Sequence, residues 1–235
     1  MISVVCWRWG ALFDVGYVNR LRASVARCLD LPHQFTCVTD DPAGLAPGIR
    51  VVRPPSEFAG TLRCRRRMWQ FAAERRDDLG DRILAIDLDV VLVGNITKLV
   101  DRPEPIVGWR VGYAGVVSGS FLLFDAGALD GAWRAYRDDP EGYPARTGER
   151  IASDQAMLNY WLRTGRPRKA RPVAMWTEAD GFVTWFGEGY GRLEHLGMGP
   201  GRPDLPPGAR VVVLGSADKA LLDEGRYPWV REHWR

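Results

Sequence analysis

Residues 83–94 read Ile-Leu-Ala-Ile-Asp-Leu-Asp-Val-Val-Leu-Val-Gly, an apolar run that contains two acidic residues, Asp87 and Asp89. The apolar residues before Asp87 are typical of a buried strand. Side chains at i and i+2 of an extended chain point the same way, so both carboxylates can face one point. Burying two like charges together is costly unless a cation lies between them or one stays protonated. The stretch therefore predicts a strand that ends in a carboxylate pair suited to Mg²⁺ or Mn²⁺, or a pair that merely caps the next turn.

The chain before this stretch alternates between two patterns. Apolar, β-branched runs at 2–6, 35–38 and 49–52 predict strands, and apolar residues recur at helical spacing over 16–29 and 61–76. Alternating strands and helices imply crossover connections and a mostly parallel sheet with helices on both faces. We therefore expect an α/β fold. Ligands of such sheets bind beyond the carboxyl ends of the strands, where Asp87 and Asp89 lie.

The second half of the chain is less regular. Residues 116–124 and 211–214 predict strands, and residues 128–136 and 154–162 predict helices. Between residues 163 and 207 glycine, proline and aromatic residues are dense and no long periodic element is visible. Such composition predicts loops that build a binding site.

Length and composition predict one soluble domain. The 235 residues are 46% hydrophobic, enough for one sizeable core. No run approaches the length of a membrane span, and the N-terminus does not resemble a secretion signal. We expect a cytoplasmic protein, either free or bound at the surface of a membrane. The four cysteines lack the short paired spacing of a zinc site or a redox dithiol, so they are expected to be reduced core thiols.

Two arginine-rich segments, 63–67 and Arg163–Arg171, stand out although the net charge is only +3. Clusters of this kind are usually solvated faces, and the sharper interpretation is contact with nucleotide phosphates or with a nucleic acid. Ten tryptophans are spread along the chain. A tryptophan in a cleft offers a large apolar face for a sugar ring.

Several short motifs, in their order and spacing over most of the chain, resemble a GT-A glycosyltransferase, similar to glycosyltransferase family eight and to related bacterial proteins of unassigned acceptor. The motifs are residues 4–10 (Val-Val-Cys-Trp-Arg-Trp-Gly), 17–21 (Tyr-Val-Asn-Arg-Leu), 37–41 (Cys-Val-Thr-Asp-Asp), 67–71 (Arg-Met-Trp-Gln-Phe), 83–95 with the Asp-x-Asp, 118–125 (Ser-Gly-Ser-Phe-Leu-Leu-Phe-Asp) and 153–159 (Ser-Asp-Gln-Ala-Met-Leu-Asn).

The resemblance implies a single Rossmann-like GT-A domain over residues 1–235, with a nucleotide-sugar-binding half (1–100) and a loop-rich acceptor half (101–235). It assigns the base and ribose to Trp7, Arg8 and Tyr17, and the metal and ribose-diphosphate to Asp87 and Asp89. It assigns the phosphates to Arg67, which replaces the lysine common in relatives and which binds phosphate bidentately. It places Asp154 and Gln155 beside the transferred sugar and the acceptor, as the catalytic candidates. Without the resemblance, Asp154 is equally explained as an aspartate that stabilises a helix N-terminus through the helix dipole.

The last strand departs from the family pattern. Relatives carry a histidine after this strand as a third metal ligand, and here that position holds Gly215. Asp218 is the candidate replacement, and Lys219 is expected to reach the diphosphate. His195 lies in the loop-rich region and is expected to be an ordinary surface or packing residue.

The expected reaction is transfer of a sugar from a nucleoside-diphosphate sugar, UDP-linked above all, to an acceptor hydroxyl with Mn²⁺ or Mg²⁺ as cofactor. Family eight favours retention of configuration. The acceptor remains open between a saccharide, other hydroxyl compounds and a modified base in DNA, the last through the Arg163–Arg171 segment. Two alternatives stay open: a phosphatase of the haloacid dehalogenase type with Asp87 as nucleophile, and a nucleotide-sugar binder without turnover. In the phosphatase class the motif normally opens the first strand, whereas 86 residues precede Asp87 here.

Overall fold

The computed structural model describes residues 1–58, 61, 63–111, 116–149, 153–167, 172–187, 196–214 and 219–235. Its main feature is a sheet of seven strands. They are β1 (Ile2–Arg8), β2 (His33–Thr39), β3 (Arg50–Val52), β4 (Arg82–Ile86), β6 (Ile106–Val111), β7 (Val116–Asp125) and β8 (Ala174–Trp176), with the short β5 (Val91–Leu92) outside this sheet.

The strand order in the main sheet is β3-β2-β1-β4-β7-β6-β8. Strands β3, β2, β1 and β4 pair in parallel, and so do β6 and β8. Only β7 runs against its neighbours, pairing antiparallel with both β4 and β6. The α/β class and the mostly parallel sheet predicted from the sequence are confirmed, and the arrangement is consistent with a Rossmann-like domain.

Helices cover the sheet. They are α1 (Val15–Cys28), α2 (Arg76–Leu79), α3 (Thr97–Val100), α4 (Asp130–Asp138), α5 (Gly142–Ala145), α6 (Asp154–Thr164), α7 (Lys219–Asp223) and α8 (Pro228–His233). Alternate side chains of β1 enter two different cores: Val4 and Cys6 pack on the side of α1, and Val5 and Trp7 pack on the side of α4 and α6. Helices therefore lie on both faces of the sheet, as expected.

A second, three-stranded sheet stands beside the first. It consists of β5, β10 (Val211–Leu214) and β9 (Phe182–Trp185), with β10 in the centre, parallel to β9 and antiparallel to β5. The predicted strand at 211–214 is confirmed. The expectation of loops alone between 163 and 207 was wrong, because β8 and β9 lie there; both are only three to four residues long, too short to show a period.

The helix predicted at 61–76 takes a different form. Residues Arg63–Phe71 and Ala73–Arg75 are 3₁₀ turns, followed by the single α-turn of α2. A 3₁₀ helix has three residues per turn, so side chains at i and i+3 eclipse one another. Cys64, Arg67 and Gln70 therefore share one side of this segment, and that side faces the end of β1.

The carboxylate pair lies in a turn rather than in extended chain, which corrects the geometry expected for Asp87 and Asp89. Strand β4 ends at Ile86, the Asp87 N–H donates to the Ser120 carbonyl at 2.9 Å, and the Val90 N–H donates back to the Asp87 carbonyl at 3.2 Å. Both side chains nevertheless face one cavity. In the described part of the chain, no helix has the length and apolar character needed to cross a membrane.

Candidate functional site

A cavity of about 450 Å³ opens beyond the carboxyl ends of the adjacent parallel strands β1 and β4. Open α/β sheets bind ligands at this edge. The cavity has an aromatic and aliphatic wall and a charged end. Its lining residues are Trp7, Trp9, Leu12, Phe13, Cys64, Arg67, Asp87, Leu88 and Asp89.

Arg67 bridges two carboxylates at the charged end. Its Nη1 contacts the Oδ1 of Asp87, and its Nε and Nη2 reach the Oδ2 of Asp154 at 2.8 and 2.6 Å. The Asp154 carboxylate is only 4% exposed, whereas that of Asp87 is 22% exposed. Burial alone would lower the pKa of Arg67, but Asp154 above all, with further help from Cys64 and Asp89, raises it above its ordinary value. The guanidinium is therefore charged at any relevant pH.

Asp89 is the third carboxylate at this end of the cavity. Among the described residues no cation forms an ion pair with it, and Arg67 acts on it only at longer range. Burial raises the pKa of Asp89 above its ordinary value, against the opposing pull of a backbone N–H and of Arg67. Three carboxylates thus share one guanidinium, and the charged end of the cavity carries an excess of negative charge.

Helix α6 presents Asp154 to Arg67. Its N-cap Ser153 accepts a hydrogen bond from the Ala156 N–H at 3.1 Å, so the helix begins at Asp154. A carboxylate in the first turn is also favoured by the helix dipole. Asp154 therefore stabilises its own helix and anchors Arg67 at once. It lies behind Arg67 and not on the cavity wall.

Gln155 and Asn159, one turn apart on α6, fasten the start of β7. The Gln155 Oε1 accepts from the Gly119 N–H at 2.9 Å. Asn159 accepts from the Val117 N–H at 2.9 Å and donates to the Val117 carbonyl at 2.8 Å. A Cβ at Gly119 would lie 3.3 Å from Arg67 Nη2, a tight contact, and 3.5 Å from Asp154 Oδ2, an ordinary one, so the glycine leaves room for the ion pair. Gln155, which was expected to contact the transferred sugar, instead holds the backbone of Gly119 beside the Arg67–Asp154 ion pair.

The aromatic wall is held rigidly. Trp7 donates its indole N–H to the Gln70 Oε1 at 3.0 Å, and its ring stands nearly perpendicular to those of Trp9 and Trp69, with centroids 6.3 and 5.9 Å away. The Arg66 guanidinium lies 4.9 Å from the centroid of the Trp9 ring. Such edge-to-face and cation–π contacts fix ring positions. The wall is thus preformed for a flat or apolar group.

Two residues expected to bind base and ribose have other partners. Arg8 donates to the Phe13 carbonyl at 3.3 Å and to the Asp41 carbonyl at 2.6 Å, so it ties together the loops after β1 and β2. Tyr17 is fully buried in α1, and its hydroxyl donates to the Asp223 Oδ1 at 2.6 Å. Neither residue lines the cavity, because burial and these hydrogen bonds turn both side chains away from it.

The position of Tyr17 leads to a testable prediction. Tyr17→Phe should lower the free energy of unfolding by about 1–2 kcal/mol, because the Asp223 carboxylate loses its hydroxyl partner. It should leave the affinity of the cavity for a nucleotide unchanged. Urea denaturation and a nucleotide titration of the same variant check the two statements, and a tenfold loss of affinity at unchanged stability would return Tyr17 to the binding site.

The remaining site candidates lie partly outside the described residues. Gly215, Asp218 and His195 lie there, as do residues 168–171 of the Arg163–Arg171 segment. Lys219 is the first residue of α7. Arg163, at the end of α6, is exposed. The structure thus brings together Trp7, Arg67, Asp87 and Asp89, with Asp154 directly behind them.

Sequence reasoning missed part of the cavity wall: Trp9, Leu12, Phe13, Cys64 and Leu88. One signal was present for Trp9. It follows Trp7 by two residues at a strand end, and such positions share a side of an extended chain. No sequence pattern pointed to Leu12. In the structure its side chain is 59% exposed, which is typical of an apolar residue at the mouth of a cavity.

The charged end suits a hard divalent cation with external ligands. In the ranges that the structure describes, no three His, Cys, Asp or Glu side chains converge on a metal position. Magnesium and manganese are commonly held by one or two carboxylates, with waters and substrate phosphates completing the coordination. Asp87 and Asp89 supply that number, and Asp89 forms no ion pair with a cation in the described part of the chain. The donor set therefore fits a metal that arrives with a phosphate ligand.

Comparison with protein-family models gives no match, and neither does comparison with the sequences of curated proteins.

Proposed function

We propose that the protein is a metal-dependent glycosyltransferase that binds a nucleoside-diphosphate sugar, UDP-linked above all, in the cavity beyond β1 and β4. The observation that carries the proposal is the charged end of that cavity. There the carboxylates of Asp87 and Asp89, in the turn that follows β4, lie beside the guanidinium of Arg67. A metal-bound diphosphate carries the charges of both signs that this group requires.

The rest of the cavity supports the same ligand. The wall of Trp7, Trp9 and Leu12 is apolar and adjoins the charged end, so a ligand with a flat or apolar part and an anionic part matches it. The cavity volume of about 450 Å³ is within the range of small-molecule sites. The retaining outcome and the class of acceptor remain proposals that rest on the family resemblance alone.

In the proposed reaction an acceptor hydroxyl attacks the anomeric carbon, the bond from that carbon to the diphosphate oxygen breaks, and the nucleoside diphosphate leaves, taking up the proton of the acceptor hydroxyl. Arg67 donates hydrogen bonds to the phosphate oxygens, where negative charge builds up. Asp87 and Asp89 hold the cation, which when bound would further neutralise the leaving diphosphate. Asp154 orients Arg67, and the aromatic wall keeps water away from the bound donor.

Two assays of the same preparation test the proposal against the phosphatase alternative. With Mn²⁺, we expect slow release of nucleoside diphosphate from one of a panel of UDP- and GDP-sugars even without acceptor, and no hydrolysis of p-nitrophenyl phosphate. Asp89→Asn should abolish the release. Asp81→Asn is the matched control, since that carboxylate is 77% exposed and pairs with Arg76 at the surface, away from the cavity. Hydrolysis of p-nitrophenyl phosphate alone would instead favour Asp87 as a phosphatase nucleophile.

A further inference from the structure

Arg67 occupies the position of a counter-ion for Asp87. The contact between Arg67 Nη1 and Asp87 Oδ1 uses the carboxylate that, in the proposed function, holds the metal. A guanidinium and a divalent cation cannot both lie against one carboxylate oxygen, since like charges at that separation repel strongly in a partly buried site. The ligand-free arrangement therefore occupies one of the two Asp87 oxygens that a cation could use and places a positive charge beside the other.

The two ion pairs of Arg67 are unequal. Asp154 accepts one hydrogen bond from Arg67 Nε at 2.8 Å and has a second ion-pair contact with Nη2 at 2.6 Å, and its carboxylate is 4% exposed. Asp87 has one contact with Arg67, and its carboxylate is 22% exposed and borders the cavity. Leaving a buried carboxylate without a partner is far more costly than leaving one that water can reach. Of the two ion pairs of Arg67, the one with Asp87 is therefore the less costly to break.

We propose that Arg67 couples the two parts of the donor complex, an inference that rests on the proposed function. With Asp154 as its fixed anchor, Arg67 releases Asp87 only when a phosphate group offers Nη1 a replacement anion. Asp87 then becomes a ligand for the cation. Metal and nucleoside diphosphate therefore bind with positive cooperativity, and the protein has weak affinity for the metal alone.

The planar guanidinium is essential to this role. Its several N–H groups point in fixed directions and can contact two carboxylates at once, whereas a lysine ammonium is a single compact charge. In Arg67→Lys the ammonium should stay with the more buried Asp154 and leave Asp87 free. This substitution keeps the net charge but removes the ability to contact both carboxylates at once, so it tests the bridging separately from the charge.

The experiment measures Mn²⁺ binding by the electron paramagnetic resonance signal of free Mn²⁺, with and without saturating UDP, after subtraction of the Mn²⁺ that the same UDP concentration chelates without protein. For the wild type we expect UDP to tighten Mn²⁺ binding by at least about tenfold, within the ordinary range of coupling between two sites. For Arg67→Lys we expect Mn²⁺ alone to bind at least about tenfold more tightly than to the wild type, and the effect of UDP to shrink to about twofold.

Two further variants secure the result. The double variant Arg67→Met, Asp154→Asn removes one buried charge of each sign and so keeps the net charge. It replaces Arg67→Lys if that variant fails to fold. It should show the same gain in affinity for Mn²⁺ alone. Arg75→Lys is the matched control: Arg75, like Arg67, is paired with a carboxylate, that of Asp78, but it lies outside the cavity. It should behave as the wild type.

Three outcomes overturn the inference, and they are distinguishable. Equal Mn²⁺ affinity with and without UDP in the wild type contradicts the coupling and, because coupling is reciprocal, also the metal dependence of nucleotide binding in the proposed function. Unchanged affinity for Mn²⁺ alone in both Arg67 variants contradicts the role of Arg67 while leaving the proposed function intact. Absence of Mn²⁺ and UDP binding in every variant removes the proposed function together with the inference.

Discussion

Arg67→Met should lower the free energy of unfolding by about 3–5 kcal/mol, the cost of breaking a buried ion pair from one side. The substitution keeps most of the side-chain volume but leaves the Asp154 carboxylate, 4% exposed, without its guanidinium. Asp87 and Asp89 lose their nearby cation in the same step, so the excess of negative charge grows. Denaturation by urea at pH 7 measures the effect.

The control for this measurement is Arg75→Met. Arg75 and Asp78 form an ion pair whose side chains are 26% and 42% exposed, and exposed pairs contribute about 1 kcal/mol or less. The loss in this variant should therefore be several times smaller. A loss in Arg67→Met no larger than that in Arg75→Met would mean that Asp154 finds another partner, and the anchoring role described for Arg67 would be wrong.

Asp89→Asn should weaken metal-dependent nucleotide binding by at least about 100-fold, or about 2.8 kcal/mol. In the proposed function Asp89 is a metal ligand that forms no ion pair with a cation among the described residues, and an amide oxygen replaces its charge poorly. Affinity for UDP measured without metal should change much less. A variant that retains metal-dependent affinity would exclude Asp89 from the metal site.

The same variant should be more stable than the wild type at neutral pH. Burial raises the pKa of Asp89, so the folded protein binds a proton there more readily than the unfolded chain does. The stability contribution of Asp89 therefore falls as the pH rises from the ordinary carboxyl pKa through the raised one, and it stays low above both. Asparagine removes this loss. Melting temperatures of both proteins at pH 4 and pH 7 should differ more at pH 7.

Part of this structure follows from local sequence. The apolar runs of β1 and β4 and the acidic turn after Ile86 are each contained in a few consecutive residues, and strands that alternate with helices imply a parallel sheet. Those features were sufficient to predict the α/β class and the edge of the sheet where the cavity opens. They were also sufficient to select Asp87 and Asp89 as its lining residues, whereas Trp7 was selected through the resemblance to glycosyltransferases.

Other features depend on distant partners. Arg8 meets Asp41, 33 residues away, and Tyr17 meets Asp223, 206 residues away, so no local pattern shows that both side chains leave the cavity. The direction of β7 is equally hidden, because alternation of buried residues is the same in parallel and antiparallel strands. Over residues 63–71 the buried residues Met68 to Phe71 are consecutive, so burial shows no period that separates a 3₁₀ helix from an α-helix.

The central claim, that the cavity beyond β1 and β4 binds a nucleoside diphosphate together with a metal, is tested most directly by calorimetric titration of the wild type with UDP and with GDP, in the presence and absence of Mn²⁺. We predict saturable binding of one nucleotide at a single site, strengthened at least about tenfold by Mn²⁺. Absence of binding to either nucleotide at millimolar concentration with Mn²⁺ present would contradict the account.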